Sequence, residues 1–346
     1  MYVNNHIHTT YSFSPYTPTA AVEQAIAAGL KTAGIMDHDS ISGAREFIAA
    51  GEKLGIATTI GVECRVKVTG TRLEERYMNN PDQKSLMYMA IHAVPHKYID
   101  TVTEFFAPLR AARNIRNLAI IDNVNKLLPE FAISFDTDVE PNSMAKDGGS
   151  ITERHIMHAL AKKIIKEHKD IPGLLKNIDV EVSDKVKSYL SDNENPYLEY
   201  DLLGALKSGL MPKVYIDATD ECLEVGEMIE FAKEINAISA YAYLGDVSDG
   251  ATGDKKAQTF EDGYLDILFE EIHSLGFDAV TYMPSRNSME QLLRVRELCD
   301  KYELMQISGE DINSPRQSFV CDALTDPVFQ NLVDASWELI EHERNN

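Results

Sequence analysis

The sequence predicts an α/β fold in which strands and helices alternate and polar side chains gather where the strands end. Apolar segments of strand length alternate with helical segments over the first 63 residues and again from residue 213 onwards. Histidines or acids follow each of the first three strands: His6 and His8, then residues 37–39, then Glu63. Because the carboxyl ends of parallel strands meet at one edge of a sheet, we expect these side chains to form one site.

The first part of the chain contains four predicted strands, at residues 1–10, 32–36, 57–62 and 86–92. A helix follows the first strand, because Thr17 can cap it, Pro18 suits its first position and Gly29 can end it. Two further helices are predicted at residues 42–54 and at about 98–128. After a loop at 130–150, Thr152 can cap a helix that carries His155 in its first turn.

Residues 169–212 show few periodic signals, and we interpret them as an inserted segment or cap beside the site, within one domain of residues 1–346. Regular alternation then resumes. The predicted strands are at residues 213–216, 237–242, 279–282 and 304–308. The predicted helices are at residues 220–234, 260–275, 288–302 and 327–343.

Composition narrows the function classes. The 346 residues are 44% hydrophobic, which suits a globular core, and the net charge of −22 disfavours general nucleic-acid binding while allowing a local basic pocket for one phosphate. The four cysteines show no Cys-x-x-Cys spacing. We see neither an export signal nor an apolar run of about 18 residues, so we expect a cytoplasmic protein that does not cross a membrane. The oligomeric state stays open.

The pair His6-Ile7-His8 is the first candidate for a metal site. Alternate side chains of a strand share a face, so both imidazoles project together. Alone, the pair is equally compatible with two exposed histidines. Its meaning depends on whether later strand ends supply further ligands.

Six motifs, in order along most of the chain, resemble the PHP family, named for its polymerase and histidinol-phosphatase members. They are His6-x-His8 with residues 9–12, residues 37–40, residues 61–63, His92, Arg154-His155 and residues 309–311. The resemblance implies a distorted seven-stranded β/α barrel. It also implies metal-dependent phosphoester hydrolysis.

The resemblance further implies two divalent metal ions, manganese, iron or zinc. The first would be held by His6, His8, Glu63 and Asp311, and the second by Glu63, His92 and His155. A carboxylate can bridge two such cations while neutral imidazoles complete their ligand shells. The alternative for His92 and for His155 is a structural histidine with a satisfied hydrogen bond.

Three positions depart from the family pattern, and all belong with His38 to a third metal site. Phe13 replaces an acid, Tyr241 a histidine and Asn313 a histidine. We therefore expect a binuclear centre. His38 is then available as general acid or base, and Tyr241 and Asn313 can hydrogen-bond a substrate.

A phosphoester substrate also requires cations near the metals. Arg154 and Arg316 are the preferred candidates, because both lie close in sequence to predicted ligands. Asp246 and Lys255, in a glycine-rich loop at 243–256, and Arg286 at the next strand end are candidates for substrate contact. For each of these residues the alternative is an ordinary solvated surface position.

The sequence thus predicts a metal-dependent phosphoesterase that acts on a small phosphorylated metabolite or nucleotide. Two alternatives keep the fold. One is hydrolysis of an amide or lactone at the same binuclear centre, and the other is a metal-binding module without turnover.

Overall fold

A computed structural model describes residues 1–247 and 261–346 of the chain. Seven strands follow one another around a nearly closed sheet in the order β1-β2-β3-β4-β6-β7-β8, and β5 pairs separately with β3. The strands are β1 Tyr2–Ile7, β2 Leu30–His38, β3 Ala57–Lys67, β4 Leu86–His92, β5 Leu223–Glu224, β6 Ile238–Tyr243, β7 Ala279–Tyr282 and β8 Met305–Ser308. A parallel bridge from Ile7 to Ile312 joins β1 to the segment beyond β8. The predicted α/β fold with a seven-stranded, barrel-like sheet is confirmed.

Helices cover the outside of the sheet and form the inserted region. They are α1 Pro18–Ala27, α2 Ala44–Leu54, α3 Ile99–Leu127, α4 Glu153–Glu167, α5 Ile171–Asn177, α6 Asp184–Ser191, α7 Leu198–Gly209, α8 Met211–Val214, α9 Val225–Glu234, α10 Leu265–Leu275, α11 Met289–Tyr302 and α12 Gln330–Asn345. In α1, the Thr17 hydroxyl accepts a hydrogen bond from the Ala20 amide, as the sequence predicts. Among the described residues, no helix combines the length and the apolar composition needed to cross a bilayer.

Strand β4 departs from the expected parallel arrangement, because it runs antiparallel to both β3 and β6. Strand β3 extends four residues beyond Glu63, and β4 returns along it from Leu86 opposite Lys67. Gly61 permits the close approach at the end of β4, since a Cβ atom there would lie 2.5 Å from the Ile91 carbonyl oxygen. Strand β4 therefore passes Glu63 at Ala90 and reaches His92 two residues later, running in the opposite direction to β3.

The predicted strand at residues 213–216 is wrong, because α8 occupies Met211–Val214 and the next strand, β5, begins only at Leu223. Pro212 suits the first turn of a helix. The Lys213 ammonium also donates to the carbonyl oxygens of Ile178 and Asp179 at 2.7 and 2.9 Å. The residues in contact are far apart in sequence, so local secondary-structure propensity could not predict these hydrogen bonds.

Residues 169–212 contain α5, α6 and α7 rather than irregular chain. These helices share an apolar cluster with α4 and the second half of α3, separate from the cluster around the sheet. Each helix is short, and α6 buries only Leu190. One buried side chain gives no helical period to detect, which is why the sequence pattern was unreadable here.

The C-terminal helix α12 covers the part of β3 that β4 leaves unpaired, around Thr59 and Ile60. The Glu343 carboxylate accepts from the Ile60 amide and the Thr59 hydroxyl, both at 2.8 Å, and contacts His96 Nε2 at 2.7 Å. Glu343 is buried, with 3% exposure. The carboxylate thus occupies the position where a neighbouring strand would supply hydrogen bonds.

This contact predicts a pH-dependent stability that His96→Gln removes. The hydrogen bond to Glu343 raises the pKa of His96 above 6.5. A raised pKa in the folded state stabilises the fold fully below pH 6.5, and this stabilisation disappears as the pH rises through the folded pKa. Because His96 is partly exposed, we expect the effect to stay below about 1 kcal/mol. Urea unfolding of both proteins at pH 5.5 and 8.5 measures it, and an identical pH dependence in the variant would contradict the prediction.

Candidate metal centre

Three of the predicted ligands form one compact group at the end of the barrel. His6 Nε2 and His8 Nε2 lie 3.6 and 3.7 Å from Glu63 Oε2, and the three ligand atoms lie within 4.8 Å of one another. His6 is in β1, His8 follows its last residue, and Glu63 is in β3. Since β2 lies between these strands, only closure of the sheet into a curved wall brings the three side chains together.

Two further predicted residues adjoin this group. Asp311 Oδ1 lies 3.2 Å from His8 Nε2, where the bridge between Ile7 and Ile312 holds the backbone. His38, at the end of β2, places Nδ1 3.0 Å from Glu63 Oε2. The first predicted ligand set and the predicted acid–base residue therefore lie around one carboxylate.

His92 approaches the same group from β4. Glu63 pairs with Ala90, so His92, two residues further on, projects from the same face of the sheet. The side chain is 1% exposed, and its Nε2 atom has no hydrogen-bond partner within residues 1–247 and 261–346. A buried imidazole nitrogen without a partner is unusual in a folded protein and is a suitable metal ligand.

His155 lies in the first turn of α4, as predicted, but it also caps that helix. Its Nδ1 atom accepts from the Thr152 amide at 3.1 Å, which leaves Nε2 as the other ring nitrogen. The edge of the ring packs on Phe13 at a centroid distance of 5.0 Å. In the described part of the chain, the group of His6, His8 and Glu63 is the only one whose ligand atoms are this close, so His92 and His155 stand outside it.

The ionisation of these groups suits a divalent cation. Burial alone would raise the pKa of Glu63, but the charges of His38 and His6 outweigh it and hold the pKa at about 2. Burial lowers the pKa of His92 and of His155 to about 3, and that of His38 well below 6.5. At neutral pH Glu63 is therefore anionic and the imidazoles of His38, His92 and His155 are neutral, the forms that bind metal.

Sequence reasoning missed the group that orients His8. Asp37 is buried and accepts from the Thr9 amide and hydroxyl and from the Ser12 hydroxyl, at 2.6 to 2.7 Å. The Ser12 hydroxyl also lies 3.2 Å from His8 Nδ1. This chain of contacts directs His8 Nε2 towards Glu63, as acids behind metal-binding histidines commonly do. The acid at position 37 was visible in the sequence, but nothing there indicated its hydrogen-bond partners.

Asp37→Asn should weaken metal binding without removing a ligand. The amide oxygen can still accept from the Thr9 amide and the Ser12 hydroxyl, which both contact Oδ1, but the NH₂ group in the place of Oδ2 cannot accept from the Thr9 hydroxyl, and the negative charge behind Ser12 and His8 is lost. We expect a loss of metal affinity of roughly 10- to 100-fold. Isothermal titration with manganese measures it, with Asp100→Asn, at an exposed ion pair with Arg45, as the matched control. Equal dissociation constants for Asp37→Asn and the wild type would disprove the assigned role.

A cavity of about 80 Å³ opens onto the group. His6, His38, Glu63 and Asp311 line it, together with Arg154 and Asn313. Two of the predicted substrate-contacting residues therefore face the same space as the predicted ligands.

The remaining predicted contacts lie elsewhere. Tyr241 projects away from the cavity, because its neighbours Ala240 and Ala242 take the inner positions of β6, and its hydroxyl donates to Glu261 at 2.5 Å. Asp246 Oδ1 accepts from the Glu261 amide at 2.7 Å. Arg286 Nε donates to the Leu244 carbonyl at 3.0 Å. The predicted contact Lys255 lies outside the described residues.

Arg316 lines a second, larger cavity of about 690 Å³ beside the first. It pairs with Asp201 of α7 at 2.6 Å and stacks over the Tyr189 ring at 3.9 Å. The two cavities share Met283 and Asp311. Arg316 is therefore placed at the inserted helices rather than beside Glu63.

Comparison with known proteins identifies one family. The PHP domain family matches residues 4–193. A stretch of 69 residues is 36% identical to the error-prone DNA polymerase of Nocardia farcinica, and 70 residues are 36% identical to that of Mycobacterium tuberculosis. Each match spans only 6% of the polymerase.

Two solved structures share the fold. A protein from Bifidobacterium adolescentis, provisionally named a metal-dependent phosphoesterase, has a TM-score of 0.61 at 19% identity, with 95% of this chain and 96% of that chain covered. An amidohydrolase from Chromobacterium violaceum, whose structure contains sulfate and no metal, has a TM-score of 0.61 at 15% identity, with 96% of both chains covered. At these identities the likeness shows the fold.

Proposed function

Because the chain belongs to the PHP domain family, we propose that it is a metal-dependent hydrolase, and specifically a phosphoesterase for a small phosphorylated metabolite or nucleotide. The observation that carries this proposal is the compact group of His6, His8 and Glu63 at a cavity that Arg154 also lines. The group supplies metal ligands, and the arginine supplies a cation for the substrate.

The donor set suits two divalent cations, manganese, iron or zinc. His6, His8, Glu63 and Asp311 would hold the first, and Glu63 with His92 and His155 the second. Bound cations of this kind acidify a water molecule and stabilise negative charge on the attacked group. The unpartnered His92 Nε2 atom supports the second set, although His92 and His155 lie outside the compact group.

The side chains around the cavity have distinct proposed tasks. Arg154 binds the phosphate oxygens, and Asn313, held by Asp311 Oδ1 at 2.7 Å, fixes the orientation of the substrate. His38 is neutral at pH 7 and directs Nδ1 at the anionic Glu63, so Nδ1 carries the hydrogen and Nε2 accepts. In this form His38 takes a proton from the attacking water.

The second cavity accommodates the rest of the substrate. Residues 169–212 then act as a cap within a single barrel domain, and Arg316 and Tyr189 on its wall contact the leaving group. The volume of the second cavity, about 690 Å³, lies in the usual range for small-molecule sites.

The test uses metal-free protein reconstituted with manganese, iron(II) or zinc. Hydrolysis of at least one phosphomonoester or phosphodiester from a broad panel supports the proposal, and Glu63→Gln serves as the inactive control. Metal binding without hydrolysis of any phosphoester would refute phosphoesterase activity.

A second candidate is hydrolysis of an amide or lactone at the same centre. The placement of two predicted cations favours it: Arg316 pairs with Asp201, Arg286 donates to the Leu244 carbonyl, and neither lines the cavity at Glu63. Less positive charge is then directed at a phosphate. A parallel panel of amides and lactones separates the two reactions.

A further inference from the structure

A cluster of buried ions lies directly behind the candidate metal centre. We call it the buried ion cluster: Asp39, Arg65, Arg113, Arg116, Glu153 and Glu221. It contains three cations and three anions, and every member is buried or nearly so. Arg113 and Arg116 come from α3, where their three-residue spacing with Arg110 places all three on one side of the helix.

Specific contacts connect these ions. Arg113 Nη2 lies 2.7 Å from Asp39 Oδ2. Arg116 pairs with Glu153 and places Nε 2.8 Å from Glu221 Oε2. Arg65 Nη2 lies 2.5 Å from Glu221 Oε1. Because buried charges are costly unless they are paired, this arrangement has to form as a unit.

Members of the buried ion cluster adjoin the site residues in sequence. Asp39 follows His38, Arg65 is two residues beyond Glu63, and Glu153 precedes Arg154. Helix α3 therefore contacts the end of β2 and the start of α4 at once. Both elements contribute a side chain to the cavity, His38 from β2 and Arg154 from α4.

Asp39 is held through its amide, its carbonyl and its carboxylate. Its φ angle is 48°, a left-handed conformation that is uncommon for residues other than glycine. Its amide donates to the Glu63 carbonyl at 2.9 Å, its carbonyl accepts from Arg110 Nη1 at 2.8 Å, and its carboxylate pairs with Arg113. Unusual backbone conformations persist only where the surroundings impose them.

We propose that Arg110 and Arg113 are positioning residues for His38. By holding Asp39 in the left-handed conformation, they keep the preceding imidazole 3.0 Å from Glu63 on the cavity wall. The catalytic meaning of this contact rests on the proposed function, but the contact itself does not.

The experiment observes His38 without metal or substrate. Protein labelled with ¹⁵N in its ten histidines is compared at pH 7.5 with Arg113→Met and Arg110→Met, and a His38→Gln variant assigns the His38 signal. Arg113→Met leaves the Asp39 carboxylate unpaired and can fail to fold. Arg110→Met retains that ion pair and removes the contacts of Arg110 to the carbonyl oxygens of Asp39 and Thr103. Arg296→Met on α11, which loses a contact to the Val328 carbonyl, is the matched control.

We expect both α3 variants to shift the His38 ring signal and to lower the protection of the Asp39 amide against hydrogen exchange by about 10-fold or more, since that amide depends on the local geometry. The control should change neither. A merely structural role predicts lower stability with an unchanged His38 signal in Arg110→Met, and that outcome would overturn the proposal. Failure of the wild type to bind metal or hydrolyse phosphoesters would refute the proposed function and leave this result standing.

Discussion

Replacing Glu63 with glutamine is expected to abolish stable metal binding and to reduce hydrolysis by about 10³-fold or more, which corresponds to about 4 kcal/mol of transition-state stabilisation. Glu63 contacts His6, His8 and His38 together, at 3.0 to 3.7 Å. The amide is similar in shape but is uncharged.

Metal content, the dissociation constant for manganese and the rate on a phosphoester measure this effect. Glu224→Gln is the control, because Glu224 is a half-buried acid that contacts Thr69 and Lys67 and does not line the cavity. Circular dichroism establishes that both variants fold. If the Glu63→Gln protein binds manganese with the wild-type stoichiometry and affinity, Glu63 is not the metal ligand that we propose.

Replacing Glu221 with alanine should destabilise the protein by about 3–5 kcal/mol, the loss expected when one partner of a buried ion pair is removed. Glu221 is 4% exposed, and its two oxygens contact Arg65 and Arg116. Without it, the two guanidinium groups remain buried with Glu153 as their shared anion. A loss of this size is a large part of the free energy of unfolding of a typical domain.

Urea unfolding measures this loss through the change in midpoint at constant slope. Two comparisons sharpen the result. Arg45→Ala removes an exposed ion pair with Asp100 and should cost less than about 1 kcal/mol. The double variant Glu221→Ala with Arg65→Met should recover part of the loss, because it removes one of the unpaired charges. A Glu221→Ala protein as stable as Arg45→Ala would show that the arginines find other partners.

The order of elements was largely predictable because strands and helices have different periods of burial. Strand β7 and helices α2, α3 and α11 lie where the pattern placed them, within one or two residues. The pattern failed where burial was sparse, as in α6, and where a proline and distant carbonyl oxygens produced a helical turn in α8. Hydrophobic periodicity reports which side of an element faces a core. It does not report contacts between distant segments.

The candidate site was predictable in part for a related reason. His6, His8, Glu63 and Asp311 converge because each stands at or near a place where the chain reaches one end of the sheet. Tyr241 does not join them, although it lies in the expected strand. A shift of one residue along a strand moves a side chain to the opposite face, and strand ends read from a sequence are less precise than that.

The sequence by itself determined the alternation of elements, the acidic surface and the presence of ligand-type side chains near successive strand ends. Only the tertiary structure decided the reversed direction of β4, the contacts of Asp37 to Thr9 and Ser12, and the buried ion cluster behind His38 and Glu63. The physical reason is the range of the interactions. The burial pattern of a helix or strand depends on residues close together in the sequence. A buried charge or hydrogen-bond donor is instead satisfied by whichever partner the folded chain brings within about 3 Å.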